Sequence, residues 1–202
     1  MPLTPSPVTE ASLLLPPDIL QRIDFAQVFG NQQRVELELG CGDGSFLLQW
    51  AGLNPTRNYL GVERLKGRIA KIDRKGRRLG LKNLRGLRLE VSYVLEWMVP
   101  ADSITALHVY FPDPWPKKRH HRRRLIQVPF TELTARALQS NGVVYLRTDH
   151  IEYFTQMRAV FDASSHFEKT TEPTELLALK TDFEIDFNAE GKPTHHGAWR
   201  KR

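Results

Sequence analysis

The sequence predicts an α/β fold, with a mostly parallel sheet that carries helices on both faces. Strand-like and helix-like patterns alternate along the chain with short connections, which is the arrangement of a doubly wound sheet. A glycine-rich turn at 40–44 follows the first clear strand and opens a helix, as in ligand-binding folds of this class. The 202 residues, 41% apolar and 26% charged, suit one compact domain. We assign residues 17–202 to this domain and residues 1–16, rich in Pro, Ser and Thr, to an extended arm.

In the first half of the chain, apolar spacing predicts three strands that alternate with helices. Val35, Leu37 and Leu39 recur at period two, which is a strand pattern over 34–40. Between 64 and 79 the apolar residues fall on one helical face and cations cover the rest. The other predictions for this half are docking of leucines 13–15 on the body, a helix from Pro17 to about Val28, a helix over 45–53, and strands over 58–63 and 86–91.

The second half continues the alternation around one irregular loop. The segment 104–111 is apolar enough for a central strand, and the proline-rich and basic segment 112–124 that follows is predicted to be a loop. Pro129 suits the first turn of a helix over 125–140. The remaining predictions are a short helical piece around Leu95 to Val99, a strand over 142–148, a helix over 151–161, an alternating segment at 183–187, and a last apolar pair at Ala198 and Trp199.

Composition excludes several classes of protein. Apolar content is too high for a disordered chain, and no run approaches the roughly 18 apolar residues that a membrane helix needs. The first cation is Arg22, so the start lacks the basic segment of a secretory signal. The single cysteine, Cys41, permits no internal disulfide and suits a reducing compartment. We therefore expect a cytoplasmic protein without a membrane partner.

Positive charge is concentrated in two segments. The chain has a net charge of +6, yet residues 64–88 alone carry eleven cations against one acid, Asp73. Residues 117–124 read KKRHHRRR, with six cations and no acid. Such clustering is typical of a surface that binds a polyanion, most often a nucleic acid. A solvated helix face beside a basic loop is the alternative.

The glycine turn indicates an adenosine-containing cofactor. Gly40, Gly42 and Gly44 let the backbone turn sharply and let a ligand approach it closely. Glu63 ends the second of the strands that alternate with helices, 19 residues beyond Gly44, where an acid can accept hydrogen bonds from ribose hydroxyls. Each feature alone would be weak, but together they favour a cofactor site over a turn that merely packs.

The charges in this turn favour S-adenosylmethionine over a dinucleotide. The pattern is G-x-G-x-G, not the dinucleotide pattern G-x-G-x-x-G, whose third glycine would fall on Ser45. Glu38 and Asp43 would both lie near a ligand, and carboxylates repel a pyrophosphate but suit a sulfonium and an ammonium. A nicotinamide-dependent oxidoreductase remains the alternative. Cys41 is interpreted as a small packed residue and not as a nucleophile.

A second candidate site follows the 104–111 strand. Asp113 lies between two prolines, which restrict its backbone, and Phe111 and Trp115 flank it. Asp149 follows the 142–148 strand, so both carboxylates should emerge at the same sheet edge, where ligands of open α/β sheets bind. A carboxylate beside an aromatic ring can hold a base. The alternatives are a proline turn that only ends the strand and, for Asp149, a cap of the next helix.

The basic run beside Trp115 suits an RNA backbone with one base turned out of its stack. Its candidate RNA-binding residues are Lys117, Lys118, Arg119, His120, His121, Arg122, Arg123 and Arg124. His120 and His121 are adjacent, lack a Cys partner nearby and lie among repelling cations. We therefore predict no metal here and assign the two histidines to the phosphate path.

Four stretches resemble the tRNA (guanine-N7-)-methyltransferase family. They are FPDPWPKKRHHRRRL, with GVERLKGRI upstream and LRTDHIEYF and TDFE downstream, and the resemblance spans about residues 34 to 199. It implies a Rossmann-like methyltransferase fold, S-adenosylmethionine as cofactor and tRNA as partner. It also implies methylation at N7 of a guanine in the tRNA variable loop. The first stretch is specific, whereas the glycine motif is shared by many methyltransferases.

The resemblance also implies roles for individual residues. Glu38 and Glu63 would contact the cofactor together with the glycine turn, and Asp113 would stand at the active centre between cofactor and guanine. The substrate contacts would come from Lys117, Asp149, Thr181, Asp182, Phe183 and Glu184, and the RNA-binding stretch would be Arg119 to Arg124.

One position departs from the family. The family usually has an Asp near the end of the third of the alternating strands, where it would hold the adenine amine. In this sequence Ser92 or Tyr93 stands at that place, so the Ser92 hydroxyl becomes the candidate contact. A non-catalytic RNA-binding protein with this fold therefore stays open as an alternative. The sequence leaves a monomer and a homodimer equally open.

Overall fold

The computed structural model describes residues 12–202 and contains one eight-stranded sheet with helices on both faces. The strands are β1 (Leu13–Leu14), β2 (Val35–Leu39), β3 (Asn58–Val62), β4 (Leu84–Leu87), β5 (Ile104–Tyr110), β6 (Leu138–Thr148), β7 (Phe167–Thr170) and β8 (His195–Lys201). They lie in the order β1-β4-β3-β2-β5-β6-β8-β7. The pairs from β1 through β6 are parallel, and β8 runs antiparallel to both β6 and β7. The predicted α/β class is confirmed.

The helices that connect these strands form two layers. They are α1 (Phe25–Phe29), α2 (Ser45–Leu53), α3 (Lys66–Arg78), α4 (Val91–Tyr93), α5 (Val128–Ala137), α6 (Ile151–Asp162), α7 (Thr174–Leu177) and α8 (Asp182–Ala189), with a π-helical turn at Val94–Met98 and a 3-10 helix at Lys118–Arg123. One apolar layer packs residues of α2, α3 and α7 on the sheet, and the other packs residues of α1, α5 and α6. None of the helices between residues 12 and 202 is long and apolar enough to cross a membrane.

The strand order places a crevice beside β2. Its neighbours are β3 on one side and β5 on the other, so the chain crosses from one half of the sheet to the other at this point. In open α/β sheets ligands bind outside the carboxyl ends of the strands at such a position. The glycine turn follows the carboxyl end of β2, and Glu63 and Phe111 follow the ends of its two neighbours.

The amino-terminal segment differs from its prediction. The helix expected from Pro17 to Val28 is only α1, because residues 18–24 are held in an irregular path over the π-helical turn. There Ile23 N donates to Met98 O (2.8 Å) and the Arg22 guanidinium donates to Val99 O (2.8 Å). Leu13 and Leu14 dock as predicted, pairing with β4, whereas Leu15 is 80% exposed. Residues 1–11 of the predicted arm lie outside the described residues.

The carboxyl-terminal part also differs from its prediction. The alternating segment 183–187 belongs to α8 and not to a strand, because the Thr181 hydroxyl caps that helix by accepting from Glu184 N (3.0 Å). Strand β4 ends at Leu87, earlier than predicted, since Glu90 caps the following α4. Strands β7 and β8 were not predicted, although the apolar pair Ala198 and Trp199 lies in β8.

Candidate functional site

The glycine turn leaves open space beside β2. Gly40, Gly42 and Gly44 have positive φ angles of 78°, 56° and 81°, which favour glycine. A Cβ atom on Gly40 or Gly42 would meet nothing within 4 Å among residues 12–202, but one on Gly44 would lie 2.6 Å from Ile72 Cγ1. The first two glycines therefore leave room for a ligand, whereas Gly44 lets α2 pack on α3.

Cys41, within this turn, has a packing role. Its amide and that of Gly40 both donate to Val62 O, at 3.0 and 2.9 Å, which fixes the turn on β3. Its sulfur fills the space that a side chain on Gly61 would need. Burial raises the pKa of the Cys41 thiol well above its usual range, so it holds no reactive thiolate at neutral pH. This geometry agrees with the interpretation of Cys41 as a packed residue.

Glu38 is the exceptional carboxylate of the crevice. It lies on β2 with 3% of its surface exposed, and within residues 12–202 its Oε2 atom has no hydrogen-bond partner. Burial raises the pKa of Glu38 to about 8, against the opposing influence of Arg147. A buried acceptor without a donor is costly, so this position is suited to a cationic or hydrogen-donating ligand group.

The other two acids of the turn are differently placed. Glu63 is buried at the end of β3, where its Oε1 atom accepts from Leu65 N (2.8 Å) and fixes the start of α3. Asp43, which we expected near the ligand together with Glu38, is engaged in ion pairs with α3. Its carboxylate lies toward α3, 3.7 Å from Lys71 and 3.5 Å from Lys75. Much of its charge is therefore already compensated.

The end of β4 contains an acid that the sequence analysis missed. Ser92 is exposed on α4, whereas Glu90, two residues earlier, lies where the chain leaves β4 and enters that helix. Its Oε2 atom accepts from Tyr93 N (2.9 Å). Glu63 follows β3 by one residue and Glu90 follows β4 by three, so each acid lies just beyond the carboxyl end of one of two neighbouring strands. That shared position was the available signal.

The acid loop (residues 111–117) is rigid and strained around Asp113. Phe111 and Trp115 adopt positive φ angles of 50° and 43°, which are rare for residues with a side chain. Each such conformation costs about 1–3 kcal/mol and persists only where the surroundings enforce it. Together with the three prolines of the loop, this backbone presents the exposed Asp113 at the carboxyl edge of the sheet.

Arg124 provides one of those enforcing contacts and departs from its predicted role. It was predicted to bind RNA, but it is only 3% exposed, and its Nε atom donates to Pro114 O (2.8 Å). Its guanidinium also reaches Gln156 Oε1 (2.6 Å) and lies over the Tyr153 ring (4.8 Å). This cation anchors the acid loop to α6, because its donors are used inside the protein.

The rest of the basic run lies on the surface beside Trp115. Arg123 stacks on the Trp115 ring at 5.0 Å, and His120 meets that ring edge-on at 5.8 Å. His121 lies 3.6 Å from Glu152. The exposed cations of this run are Lys117, Lys118, Arg119, Arg122 and Arg123. In the part of the chain that the structure describes, no group of three or more His, Cys, Asp or Glu residues could hold a metal ion.

Asp149 follows the end of β6 and does not cap α6. The capping group is the next residue, His150, whose Nδ1 atom accepts from Tyr153 N (3.2 Å). The cap alternative for Asp149 is therefore wrong. Its carboxylate is half-buried at the same sheet edge as Asp113.

The predicted substrate residues 181–184 lie in a cap over the crevice (residues 171–190, containing α7 and α8). Asp182 N donates to Ser45 Oγ (3.2 Å) beside the glycine turn, and the Phe183 ring lies 6.4 Å from that of Phe111 in the acid loop. Glu184 is only 3% exposed and its Oε2 atom lies 3.3 Å from the Arg147 guanidinium. The Phe183 ring and the backbone amide of Asp182 contact residues of the site, but Glu184 is used within the protein.

Comparisons with known proteins agree with this geometry. A family described as putative methyltransferases matches residues 32–196. A tRNA (guanine-N(7)-)-methyltransferase of Nitrosococcus oceani is 36% identical over 181 residues, covering 89% of this chain and 75% of the relative. One of Vibrio parahaemolyticus, with the same description, is 34% identical over 179 residues and covers 88% and 75%.

Solved structures share the fold at lower identity. The 16S rRNA methyltransferase KamB aligns with a TM-score of 0.63 at 18% identity, covering 89% of this chain and 93% of that one. An rRNA methylase from Streptococcus thermophilus aligns with a TM-score of 0.56 at 13% identity, covering 84% and 87%. At such identities the likeness concerns the fold alone.

Proposed function

This chain belongs to the tRNA (guanine-N(7)-)-methyltransferase family, and we propose that it transfers a methyl group from S-adenosylmethionine to N7 of a guanine in tRNA. One observation carries the proposal for this particular chain. A buried carboxylate, Glu38, whose Oε2 atom has no hydrogen-bond partner among residues 12–202, lies beside a glycine turn with open space, and Asp113 is held by a strained loop at the same sheet edge. We further propose that the target lies in the variable loop and that the reaction takes place in the cytoplasm.

The residues of the crevice fit the cofactor. Glu38 would accept hydrogen bonds from the ammonium group, which gives its buried oxygen a cationic partner. Gly40 and Gly42 would allow the ligand to approach the backbone, and the second oxygen of Glu63 would accept from a ribose hydroxyl. We assign the adenine amine to Glu90 in preference to Ser92, because Glu90 provides a carboxylate where the chain leaves β4. When bound, S-adenosylmethionine supplies an electrophilic methyl group on a sulfonium.

The protein itself has to position the base and balance its charge. Guanine N7 has an in-plane lone pair, so no group must remove a proton before the attack. Placement of N7 in line with the methyl–sulfur bond and electrostatic stabilisation then account for the acceleration. Asp113 and Asp149 would lie near a purine that becomes cationic, and their negative charge favours that change.

The same carboxylates would select guanine. A carboxylate accepts hydrogen bonds from guanine N1–H and from its exocyclic amine, and adenine lacks this pair of donors. Asp113 is the first candidate because it is exposed, whereas Glu184 is already bound to Arg147. The guanine must leave its stack to reach this position, at a cost of a few kcal/mol. Phosphate contacts from the exposed cations beside Trp115 would offset that cost.

A transfer assay tests the proposal. The protein is incubated with bulk tRNA and S-adenosylmethionine labelled in its methyl group, and label in the RNA is counted. We expect label in tRNA and none in a DNA duplex of the same length. Absence of label from well-folded protein with native tRNA would contradict the proposed function.

A further inference from the structure

Arg147 is a buried cation that the proposed reaction does not use. It is the next-to-last residue of β6 and is 0% exposed. In the strand register it pairs with Tyr110 of β5 and with His196 of β8. Its guanidinium lies 4.5 Å from the centre of the Tyr110 ring. A fully buried arginine is rare unless its donors have partners. Among residues 12–202 the Nε atom of Arg147 has no hydrogen-bond partner, so the contacts of Nη1 and Nη2 show what the position requires.

Those partners tie both helices of the cap to the sheet. Arg147 Nη1 donates to Leu179 O (2.6 Å), and Nη2 donates to Leu176 O (2.7 Å) in α7. The same two nitrogens reach Glu184 Oε2 in α8 (3.3 Å) and Glu172 Oε2 (3.0 Å). One rigid, planar fork therefore satisfies four acceptors spread along the cap.

A histidine of β8 also lies close to the two carboxylates. His196 lies 3.5 Å from Glu172 Oε1 and 3.7 Å from Glu184 Oε1, so each carboxylate lies between Arg147 and this histidine. The cap is thus connected to β6 through the buried Arg147 guanidinium, and its two carboxylates lie beside His196 of β8. Its outer residues, in contrast, are exposed.

The backbone of Arg147 holds the acid loop as well. Phe111 N donates to Arg147 O (2.8 Å) at the start of the loop, where the Phe111 φ angle is 50°. The Phe111 ring in turn lies 5.7 Å from that of Phe187 and 6.4 Å from that of Phe183 in the cap. Arg147, the acid loop and the cap are therefore connected pairwise.

We propose that Arg147 is a positioning residue that holds the cap against the acid loop, so that the guanine pocket is formed before tRNA binds. The identity of the substrate, a guanine in tRNA, rests on the proposed function. The contacts that join Arg147 to the cap and to the acid loop do not depend on it. Arg147 touches neither substrate nor cofactor in this account. It acts through Asp182 and Phe183, which the cap carries to Ser45 and Phe111.

The test is the Arg147→Lys variant. Lysine keeps the charge but lacks the planar fork, so it cannot satisfy the two carbonyls and the two carboxylates together. We expect amides of residues 172–190 to exchange with deuterium about tenfold faster or more, with unchanged exchange in β2 and β5. We also expect KM for tRNA to rise about tenfold, while kcat and the Kd for S-adenosylmethionine change less than about threefold.

Arg136→Lys is the matched control. Arg136 is a partly buried arginine that, like Arg147, donates to a backbone carbonyl, here Leu95 O (2.6 Å), but it lies at the end of α5 and away from the cap. We expect this variant to keep the exchange of the cap and the KM for tRNA. If Arg147→Lys shows the same exchange and kinetics as Arg136→Lys, the proposal is wrong.

A second variant avoids leaving buried carboxylates without a cation. Arg147→Met combined with Glu172→Gln and Glu184→Gln leaves no unpaired buried carboxylate at this position, so it should fold and still show a loosened cap. Unfolding of both variants would overturn the proposal, because Arg147 would then support the whole fold. Failure of the wild-type protein to methylate tRNA would refute the proposed function alone, since deuterium exchange still decides the role of Arg147.

Discussion

The Nε atom of Arg124 donates to the backbone oxygen of Pro114 across 2.8 Å, which joins the last cation of the basic run to the residue after Asp113. This contact distinguishes Arg124 from the other residues of the basic run. Arg124 is buried and bonded to the acid loop, whereas the lysines and arginines before it in the run are exposed.

Arg124→Lys should therefore damage catalysis more than RNA binding. Lysine cannot reach Pro114 O, Gln156 and Glu152 together, so the loop should relax and misplace Asp113. We expect kcat to fall about tenfold or more, since small displacements of reacting groups are costly. Steady-state kinetics with tRNA checks this. Arg122→Lys, an exposed neighbour, serves as the control and should keep kcat near the wild-type value.

Asp113→Asn should fold normally and lose most of its transfer activity. The change removes the negative charge that favours the cationic product, and loss of one preorganised electrostatic contact typically costs about a hundredfold or more in rate. Single-turnover transfer with saturating cofactor measures the effect. Glu132→Gln, which changes an exposed acid on α5, should have no effect. Near-normal turnover by Asp113→Asn would remove this residue from the mechanism.

Cofactor binding should depend on pH through Glu38. Because burial raises the pKa of Glu38 to about 8, its carboxyl is protonated in the free protein at pH 7, and the cationic ligand must displace that proton. Affinity should weaken by up to about tenfold for each pH unit below 8. Calorimetry in buffers of different ionisation enthalpy should detect proton release near pH 7. Glu38→Gln should bind weakly and lose this pH dependence.

Glu38 should also make the free energy of unfolding of the ligand-free protein depend on pH. A carboxyl with a raised pKa holds a proton in the folded state that the unfolded chain has already released above about pH 4.5. The free energy of unfolding of the ligand-free protein should therefore receive a contribution from Glu38 that decreases as pH rises from about 4.5 to 8. Comparison of thermal melts of the wild type and Glu38→Gln across this range isolates that contribution, and an increase with pH would contradict it.

RNA affinity should depend steeply on salt through the exposed cations of the basic run. Each phosphate contact contributes about −0.7 to −0.9 to the slope of log K against log salt concentration. Replacing Lys118, Arg119 and Arg122 by Ala should make the slope shallower by about 2. Filter binding between roughly 50 and 200 mM salt measures it. The control Lys169→Ala, on the edge strand β7, should leave the slope unchanged.

Local patterns predicted the parts of the molecule that local chemistry determines. The helix predicted at 45–53 coincides with α2. The ends of β2 and β3 lie within one residue of those predicted for the strands at 34–40 and 58–63. At 183–187, alternation suggested a strand, although Thr181 and Glu184 have the spacing of a helix-capping box. In α8, Phe183 and Phe187 share one face toward Phe111, and Ile185 is exposed.

Long-range contacts account for what sequence reasoning could not predict. A run of cations does not show that Arg124 is buried, because its burial depends on Gln156 and Tyr153 in a helix some thirty residues away. In the sequence, nothing distinguishes Arg147 from other strand residues. Its acceptors lie 25 to 37 positions away along the chain, and only the folded cap brings them within reach. The position of Glu90 was accessible in principle, since it lies three residues after β4 and Glu63 lies one residue after β3.

The identity of the methylated atom tests the central claim most directly. Two versions of one tRNA transcript, with guanosine or with 7-deazaguanosine in place of every guanosine, are incubated with the protein and labelled cofactor. Nucleosides of the product are then separated by liquid chromatography and identified by retention time against standards of the isomeric methylguanosines, together with their mass. We predict 7-methylguanosine from the first transcript and no methylated nucleoside from the second, which has carbon at the attacking position. Equal label in both transcripts, or label on any other nucleoside, would contradict the account.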